Sequence, residues 1–198
     1  MTRRTLWLNY LRPNIFIRNL LDLDIHMLKI SGIKLIICDL DNTLVPHFSK
    51  FPNKYVYDFI NRIKQENIDI VIASNNSKKR VLTFVNKLKE TIEIDGCIWN
   101  SKKPLTYKIK KYIKEHNYSY NDIMIIGDQF IIDVFLANRL KTKSILVLPT
   151  IDPNEKASIN IFLKILEKYI YNRLQHENIL TKYSSGIKIG NEDDYGLL

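Results

Sequence analysis

Two carboxylates stand two positions apart at the end of a short apolar run. The run from Ile33 to Cys38 is rich in β-branched residues and predicts a buried strand, and Asp39 and Asp41 follow it. Alternate residues of an extended chain face the same side, so both carboxylates could act on one reacting group. A hard cation such as Mg2+ would relieve their mutual repulsion. A surface turn of Asp and Asn is the alternative explanation.

The elements that must position these carboxylates are predicted by apolar patterning. Five short apolar runs predict strands, at residues 33–38, 69–73, 92–98, 123–126 and 144–148. Helical spacing predicts the helices between and after them, at residues 53–65, 81–88, 104–115, 134–137 and 152–170. In the last helix, Asp152 to Glu155 reads as a capping box, and Phe162 is expected on the apolar face. This alternation predicts a three-layer α/β, Rossmann-like domain with a mostly parallel sheet of about five strands.

Polar residues follow four of the five predicted strands. They are Asp39 with Asp41, then Ser74 with Asn75, then Lys103, and finally Asp128 with Asp133. The carboxyl ends of parallel strands lie on one edge of a sheet, where ligands bind, so all four groups could line one crevice. The backbone and hydroxyl groups after the second strand suit a phosphate, although a helix cap at Ser77 explains part of the same pattern.

The two ends of the chain differ from the middle. Residues 1–31 form a basic, amphipathic segment that either lies in a membrane interface or packs onto the domain. Residues 32–174 are predicted to form the α/β domain, including a C-terminal helix. Residues 175–198 lose the apolar periodicity and are predicted to be a mobile tail.

The composition narrows the class of protein. The formal charge of +9, from 30 Lys and Arg against 21 Asp and Glu, suits nucleic acid or an anionic membrane, although basic residues scattered by compositional drift are the simpler explanation. Cys38 and Cys97 fall in apolar runs without metal-ligand spacing and indicate a reducing compartment. No stretch approaches the ~20 apolar residues of a membrane helix, so we expect a cytoplasmic protein, peripheral at the inner face of the membrane if the N-terminal segment binds there.

The ordered set of motifs resembles the haloacid dehalogenase superfamily of phosphatases. Its DxDx[TV] pattern is matched from Asp39 to Thr43, its Ser or Thr by Ser74, its lysine by Lys103, and its GDxxxxD pattern from Gly127 to Asp133. The wider pattern, including Ser-Asn-Asn and Lys-Lys-Pro, resembles the YqeG-like group of subfamily IIIA, relatives of which are phosphatidylglycerophosphate phosphatases. The resemblance covers residues 12–175.

The resemblance implies a role for each matched residue. Asp39 would be the nucleophile that forms an aspartyl-phosphate, Asp41 the general acid and base, and Thr43 a support for their loop. Ser74, Asn75 and Lys103 would bind the phosphoryl group. Mg2+ would be held by Asp39, the main-chain carbonyl of Asp41, Asp128 and Asp133, the last as a ligand or as a support for the ligands.

The spacing of the motifs predicts a site without a cap domain. Thr43 and Ser74 are 31 positions apart, and Asn75 and Lys103 are 28 apart, which a helix and a strand already occupy. An open site suits a phosphate displayed on something large. The leading hypothesis is a Mg2+-dependent phosphatase of a membrane lipid phosphate such as phosphatidylglycerophosphate. The alternatives are a phosphatase of a soluble or nucleic-acid phosphate, and a non-catalytic RNA- or ribosome-associated protein.

Overall fold

A six-stranded parallel sheet forms the middle layer of the protein. The computed structural model describes residues 3–150, 161–177 and 180. The strands lie in the order β1-β6-β5-β2-β3-β4, and each neighbouring pair is parallel. Their bounds are β1 Ile15–Ile17, β2 Leu35–Cys38, β3 Asp69–Ala73, β4 Gly96–Ile98, β5 Ile123–Gly127 and β6 Lys143–Val147.

Helices cover both faces of this sheet. The α-helices are α1 Ile25–Ile30, α2 Lys54–Gln65, α3 Lys78–Lys89, α4 Tyr107–Glu115, α5 Phe135–Leu140 and α6 Ile161–His176. A π-helical turn spans Phe130–Val134, and short 3-10 helices span Arg3–Leu11, Leu20–Asp22 and Tyr120–Asp122. The apolar faces of α2 and α3 pack on one side of the sheet and those of α4 and α5 on the other. The architecture is therefore the predicted three-layer α/β sandwich.

The two helices nearest the predicted site begin at capping residues. The Asn53 side chain accepts a hydrogen bond from the Val56 N–H at the start of α2, and the Ser77 hydroxyl accepts one from the Arg80 N–H at the start of α3. Each cap satisfies a backbone donor that the first turn of a helix leaves free. The capping bonds thereby fix where α2 and α3 begin.

Strand β2 lies at the centre of the sheet, between β5 and β3. Its last residue, Cys38, is aligned with Ile126 of β5 and Ile72 of β3. The chain crosses in one direction from β2 to β3 and in the other to reach β5, and such a switch point leaves a crevice at the carboxyl ends of the strands. The fold therefore directs Asp39, the residue after Cys38, into this crevice.

The strand count is the first correction to the sequence prediction. About five strands were expected, and the sixth is β1, which pairs with β6 at the sheet edge. It has only three residues, too few to show the alternation that identifies a strand. The segment around β1 packs into the domain, since Phe16, Leu20 and Leu28 are buried. The large apolar side chains of residues 8–28 are thus mostly part of the core.

Helix α4 begins later than the sequence predicted. The helix was expected to begin at residue 104, but it begins at Tyr107, and Leu105 lies before it and is exposed. The Leu105 N–H donates to the Lys102 carbonyl, which closes a turn ahead of the helix. A hydrogen-bonded turn therefore occupies residues 102–105, and the helix begins only after it.

The last helix departs from prediction on one face. Phe162 was expected inside but is exposed, while Glu167, Ile170 and Leu174 are buried. The predicted capping box at residues 152–155 and the tail beyond residue 180 lie outside the described residues.

The motif-bearing part of the chain holds no inserted cap. Residues 43–103 are all described and contain only α2, β3, α3 and β4 with their loops. The prediction of an uncapped site is confirmed. None of the described helices combines the length and the apolar character needed to cross a bilayer.

Candidate active site

A buried lysine joins two carboxylates at the centre of the crevice. Lys103 Nζ lies 2.6 Å from Asp39 Oδ1 and 2.7 Å from Asp133 Oδ1. The backbone N–H of Asp39 donates to the Ile126 carbonyl at 2.9 Å, which extends the β2–β5 pairing by one residue and fixes the carboxylate at the strand end. A charge-assisted pair of this length holds Asp39 in one orientation.

A buried threonine joins Asp39 to the aspartate that follows β5. Thr43 Oγ1 lies 3.2 Å from Asp39 Oδ2 and 3.2 Å from Asp128 Oδ1. Its hydroxyl carries one proton and therefore donates to one carboxylate at a time. Thr43 thus fixes the spacing of Asp39 and Asp128, the two carboxylates that reach the same point from neighbouring strands.

The second aspartate of the first motif has its own set of partners. Asp41 Oδ1 accepts hydrogen bonds from Arg80 Nη2 at 2.9 Å and Nε at 3.2 Å. Its Oδ2 accepts a bond from the Ser74 hydroxyl at 3.1 Å. The Ser74 hydroxyl in turn accepts the Asn76 N–H at 3.0 Å. Asp41 is therefore oriented by the loop after β3 and the first turn of α3, and not by Asp39.

The Asn75 side chain forms hydrogen bonds with the loop that carries Lys103. Its Oδ1 accepts the Lys103 N–H at 2.7 Å and the Ser101 hydroxyl at 2.7 Å, while its Nδ2 donates to the Lys103 carbonyl at 2.9 Å. The sequence predicted that Asn75 binds the substrate phosphate, and the contacts of its side chain indicate that it positions Lys103.

Glycine is required where the last motif begins. A β-carbon at Gly127 would overlap the Asp133 carboxyl group, so only glycine leaves room for that side chain. Asp133 Oδ2 also accepts the Gln129 N–H at 3.3 Å. The loop between β5 and the π-helical turn is therefore folded around Asp133, which explains the five-residue spacing from Asp128.

Burial and the crowding of carboxylates set the electrostatics of the site. Burial raises the pKa of Asp39, and Lys103 opposes that rise. Burial together with Asp39 and Asp133 raises the pKa of Asp128 well above its ordinary value. Burial alone would lower the pKa of Lys103, but Asp133 and Asp39 more than offset it and the pKa is raised. The two carboxylates thus favour the charged form of Lys103. Asp128 forms no direct ion pair with a basic side chain of the described residues, although the charge of Lys103 lowers its pKa.

The donor set of the site suits a divalent cation. The carboxylates are Asp39, Asp41, Asp128 and Asp133, and the cations that face them are Lys103 and Arg80. No three His, Cys, Asp or Glu side chains of the described residues form a preassembled metal cluster. Mg2+ does not need one, because it is commonly held by one or two carboxylates plus water. Asp39 and Asp128 would supply those two carboxylates, and the added charge would relieve their repulsion.

The described residues around this centre line a cavity of about 360 Å3 that is open to solvent. Of the eight predicted site residues, the six that line it are Asp39, Asp41, Ser74, Asn75, Lys103 and Asp133. The other two, Thr43 and Asp128, are buried beside it. The structure therefore brings the whole predicted set together.

Among the residues at the site that were not predicted, two place a basic side chain beside Asp41. Arg80 binds Asp41, and His47 lines the cavity with Nδ1 3.8 Å from Asp41 Oδ1. The position of Arg80 on the third residue of α3 was a signal, because the first turn of that helix follows the Ser74 loop directly. In a chain with many basic residues that signal is weak. His47 carried no signal beyond its place eight residues after Asp39.

Fold and site together define the class of protein: the chain is a phosphatase of the haloacid dehalogenase type. It belongs to the family described as mitochondrial PGP phosphatase, whose sequence profile matches residues 6–151. The resemblance predicted from the motifs is confirmed.

One relative and two solved structures illustrate the similarity. The chain is 28% identical to the probable phosphatase YqeG of Bacillus subtilis (strain 168) over 165 residues, which is 83% of this chain and 92% of that protein. An uncharacterized protein from Listeria monocytogenes serotype 4b aligns with a TM-score of 0.48 at 18% identity, over 64% of this chain and 86% of that one. The 3-deoxy-D-manno-octulosonate 8-phosphate phosphatase from Moraxella catarrhalis, solved with a magnesium ion, a phosphate ion and a KDO molecule, aligns with a TM-score of 0.41 at 21% identity, over 53% and 62%.

Proposed function

We propose that the protein is a Mg2+-dependent phosphomonoesterase that forms an aspartyl-phosphate on Asp39 and acts on a lipid phosphate. The observation that carries the proposal is the meeting of Asp39, Asp41 and Lys103 in one open cavity. These three side chains supply a nucleophile, an acid and base, and a fixed positive charge, which are the parts that phosphoryl transfer needs.

The first step transfers the phosphoryl group to the enzyme. A carboxylate oxygen of Asp39 forms a bond to phosphorus as the bond from phosphorus to the ester oxygen breaks, and the electron pair goes to the leaving oxygen. Asp41 gives that oxygen a proton. Lys103, held 2.6 Å from Asp39, stabilises the negative charge on the transferring group.

The second step regenerates the enzyme. Asp41, now a carboxylate, takes a proton from water as the water oxygen bonds to phosphorus, and the bond to Asp39 breaks to release inorganic phosphate. Arg80 and Ser74 hold Asp41 in place for both steps. Asp39 and Asp128 would hold Mg2+, which would supply positive charge to offset the negative charge of the phosphoryl group.

Two features support a lipid substrate such as phosphatidylglycerophosphate. The family is described by its PGP phosphatase activity. The cavity also lacks a cap in residues 43–103, so the non-reacting part of a substrate can stay outside the protein. We place the enzyme at the inner face of a membrane, where such a phosphate is displayed.

A substrate panel tests this function. Phosphate release is measured with Mg2+ and with EDTA from phosphatidylglycerophosphate in detergent micelles, from sugar phosphates and from 3′-phosphorylated oligonucleotides. We expect Mg2+-dependent release that is fastest from the lipid. A preference for a sugar phosphate or an oligonucleotide would contradict the lipid substrate but would still support phosphatase activity.

A further inference from the structure

Two loops at the catalytic edge expose large apolar side chains on either side of the cavity. Phe48 and Phe51 lie in the loop between β2 and α2, and they are 61% and 56% exposed. Leu105 and Tyr107 lie at the start of α4, and they are 59% and 74% exposed. We call these four side chains the apolar rim. Exposed apolar side chains that lie together and are surrounded by polar residues are typical of an interaction surface.

The first loop of the rim is held against the active site. The Phe48 ring meets the His47 ring edge-on with centroids 5.0 Å apart, and His47 lines the cavity. The His47 N–H donates to Asn42 Oδ1 at 3.1 Å, and Arg80 Nη1 donates to the Lys50 carbonyl at 3.4 Å. Residues that hold Asp41 thus also hold this part of the rim at the mouth of the cavity.

Each half of the rim belongs to a loop that lines the cavity, since His47 comes from the first loop and Lys103 from the second. The two loops follow β2 and β4, the strands on either side of β3. The segment after β3 contacts both loops, because Arg80 donates to the Lys50 carbonyl and Asn75 donates to the Lys103 carbonyl. A flat surface that touched both loops would lie over the cavity.

The segments that follow β2, β3 and β4 at this edge are basic and carry no acidic residue after Asp41. Residues 42–57, 74–89 and 98–114 contain no Asp or Glu. Their exposed lysines near the mouth are Lys50, Lys54, Lys78, Lys79 and Lys102. In the part of the chain that the structure describes, none of these lysines pairs with a carboxylate. The edge therefore offers apolar side chains surrounded by unneutralised positive charge.

We propose that the apolar rim and its lysines dock on an anionic phospholipid surface, which places the phosphate of an embedded lipid over Asp39. This docking rests on the lipid substrate proposed above and names the surface that receives it. Apolar side chains enter the acyl boundary while lysines remain among the lipid phosphates. Leu105 favours a bilayer over RNA, because an aliphatic side chain offers no ring on which a base can stack.

A vesicle-binding experiment tests the docking. The full chain is sedimented with vesicles of phosphatidylcholine containing about one third phosphatidylglycerol, which carry the anionic charge that lysines recognise. The test variant combines Phe51→Ser with Leu105→Ser, one from each loop, and leaves Phe48 in place because it touches His47. We expect the wild type to bind these vesicles more weakly as the salt concentration rises. At the same salt concentration, the variant should bind about tenfold more weakly than the wild type.

A matched control uses exposed apolar residues at the opposite edge of the sheet. Met27 and Ile30 of α1 are exposed, and this helix ends where Lys143 at the start of β6 donates to the Ser31 carbonyl. Met27→Ser with Ile30→Ser should bind vesicles as the wild type does. Equal vesicle binding by the rim variant and the wild type, or loss in the control as large as in the rim variant, would overturn the docking surface.

Turnover separates the docking from the function on which it rests. The rim variant should release phosphate from soluble p-nitrophenyl phosphate at the wild-type rate and from vesicle-embedded phosphatidylglycerophosphate about tenfold more slowly. Rim-dependent vesicle binding without hydrolysis of the lipid would refute the lipid substrate and keep the surface. Binding of an RNA oligonucleotide that depends on the rim, with no vesicle binding, would overturn the proposal in favour of RNA.

Discussion

Arg80 shows how a single side chain can decide what a catalytic carboxylate is able to do. Its guanidinium contacts one oxygen of Asp41 through two nitrogens and is itself largely enclosed. A planar fork of this kind fixes an oxygen in space, which a flexible ammonium does not. Arg80 thus holds the Asp41 carboxylate in one position, as the proton transfer proposed for Asp41 requires.

Replacing Arg80 should slow turnover more than it weakens substrate binding. We expect Arg80→Ala to lower kcat by about 10- to 100-fold, because a misplaced acid and base loses the geometry of proton transfer, while KM changes little. Arg80→Lys should recover only part of the loss. Steady-state kinetics of both variants check this, with Lys89→Ala at the other end of α3 as the control. An unchanged kcat in Arg80→Ala would remove the assigned role.

Replacing Gly127 tests the position of the Asp133 carboxyl group without changing the charges of the site. Gly127→Ala should displace the Asp133 carboxyl group and loosen its pair with Lys103, because the added β-carbon would occupy the same space. We expect a loss of kcat of about tenfold or more with the protein still folded. Phosphate release and circular dichroism measure the two effects. A fully active Gly127→Ala would show that the position of Asp133 is not critical.

At the scale of elements, α6 is tied to the site through a buried glutamate. Glu167 accepts the backbone N–H groups of Phe130 and Ile131, at 2.9 and 3.1 Å, at the start of the π-helical turn that carries Asp133. Burial raises the pKa of Glu167 to about 7, although the two N–H groups oppose that rise. Helix α6 thus stabilises the start of the π-helical turn that carries Asp133 of the last motif.

The raised pKa of Glu167 makes a defined contribution to the pH dependence of stability. The unfolded chain releases this proton near its ordinary pKa of 4.5 and the folded chain near 7, so stability falls as pH rises between these values and then levels off. Between pH 5 and 8 the wild type should lose about 2 kcal/mol more unfolding free energy than Glu167→Gln. Urea unfolding at both pH values measures the difference. Identical losses in the two proteins would contradict the pKa assignment.

Elements differ in how far the sequence predicts them. Helix α2 was predicted closely because its four buried residues recur at helical spacing and Asn53 caps it. Strand β1 was missed because three residues carry no period, and its place in the sheet depends on β6, which lies 130 positions away. The start of α4 was misplaced because a turn closed by Lys102 and Leu105 overrides a helical pattern. Long local periods are thus readable from sequence, and pairings between distant segments are not.

For the molecule as a whole, the arrangement of charge predicts that cation binding and folding are linked. Asp128 is buried, and among the described residues Lys103 pairs directly with Asp39 and Asp133 and not with Asp128. The repulsion of Asp128 with Asp39 and Asp133 therefore costs stability when no cation is bound. In EDTA, Asp128→Asn should therefore be more stable than the wild type by about 1 kcal/mol. Mg2+ should raise the Tm of the wild type and leave that of Asp128→Asn unchanged, because binding stabilises only the form that has the site. Scanning calorimetry with and without Mg2+ checks both, and an equal Mg2+ response in the two proteins would argue against Asp128 as a ligand.

The candidate site as a whole was predictable to the extent that it depends on topology. A parallel sheet brings strand ends to one edge, so the motif residues from Asp39 to Asp133 were expected together before the structure was known. The sequence did not show that Asn75 fastens the Lys103 loop or that Arg80 holds Asp41, because these contacts depend on side-chain directions in loops. The apolar rim was equally hidden, since exposure of Phe51 and Leu105 is a property of the folded chain.

The role of Asp39 as the nucleophile is tested by measuring Mg2+-dependent phosphate release by Asp39→Asn beside the wild type. The substrate is phosphatidylglycerophosphate in detergent micelles. Asn is close to Asp in shape but cannot form the aspartyl-phosphate, so the account predicts loss of turnover by about a thousandfold or more, with folding and substrate binding retained. Asp58→Asn, on the exposed face of α2, should turn over as the wild type does. Turnover by Asp39→Asn within about tenfold of the wild type would show that Asp39 is not the nucleophile.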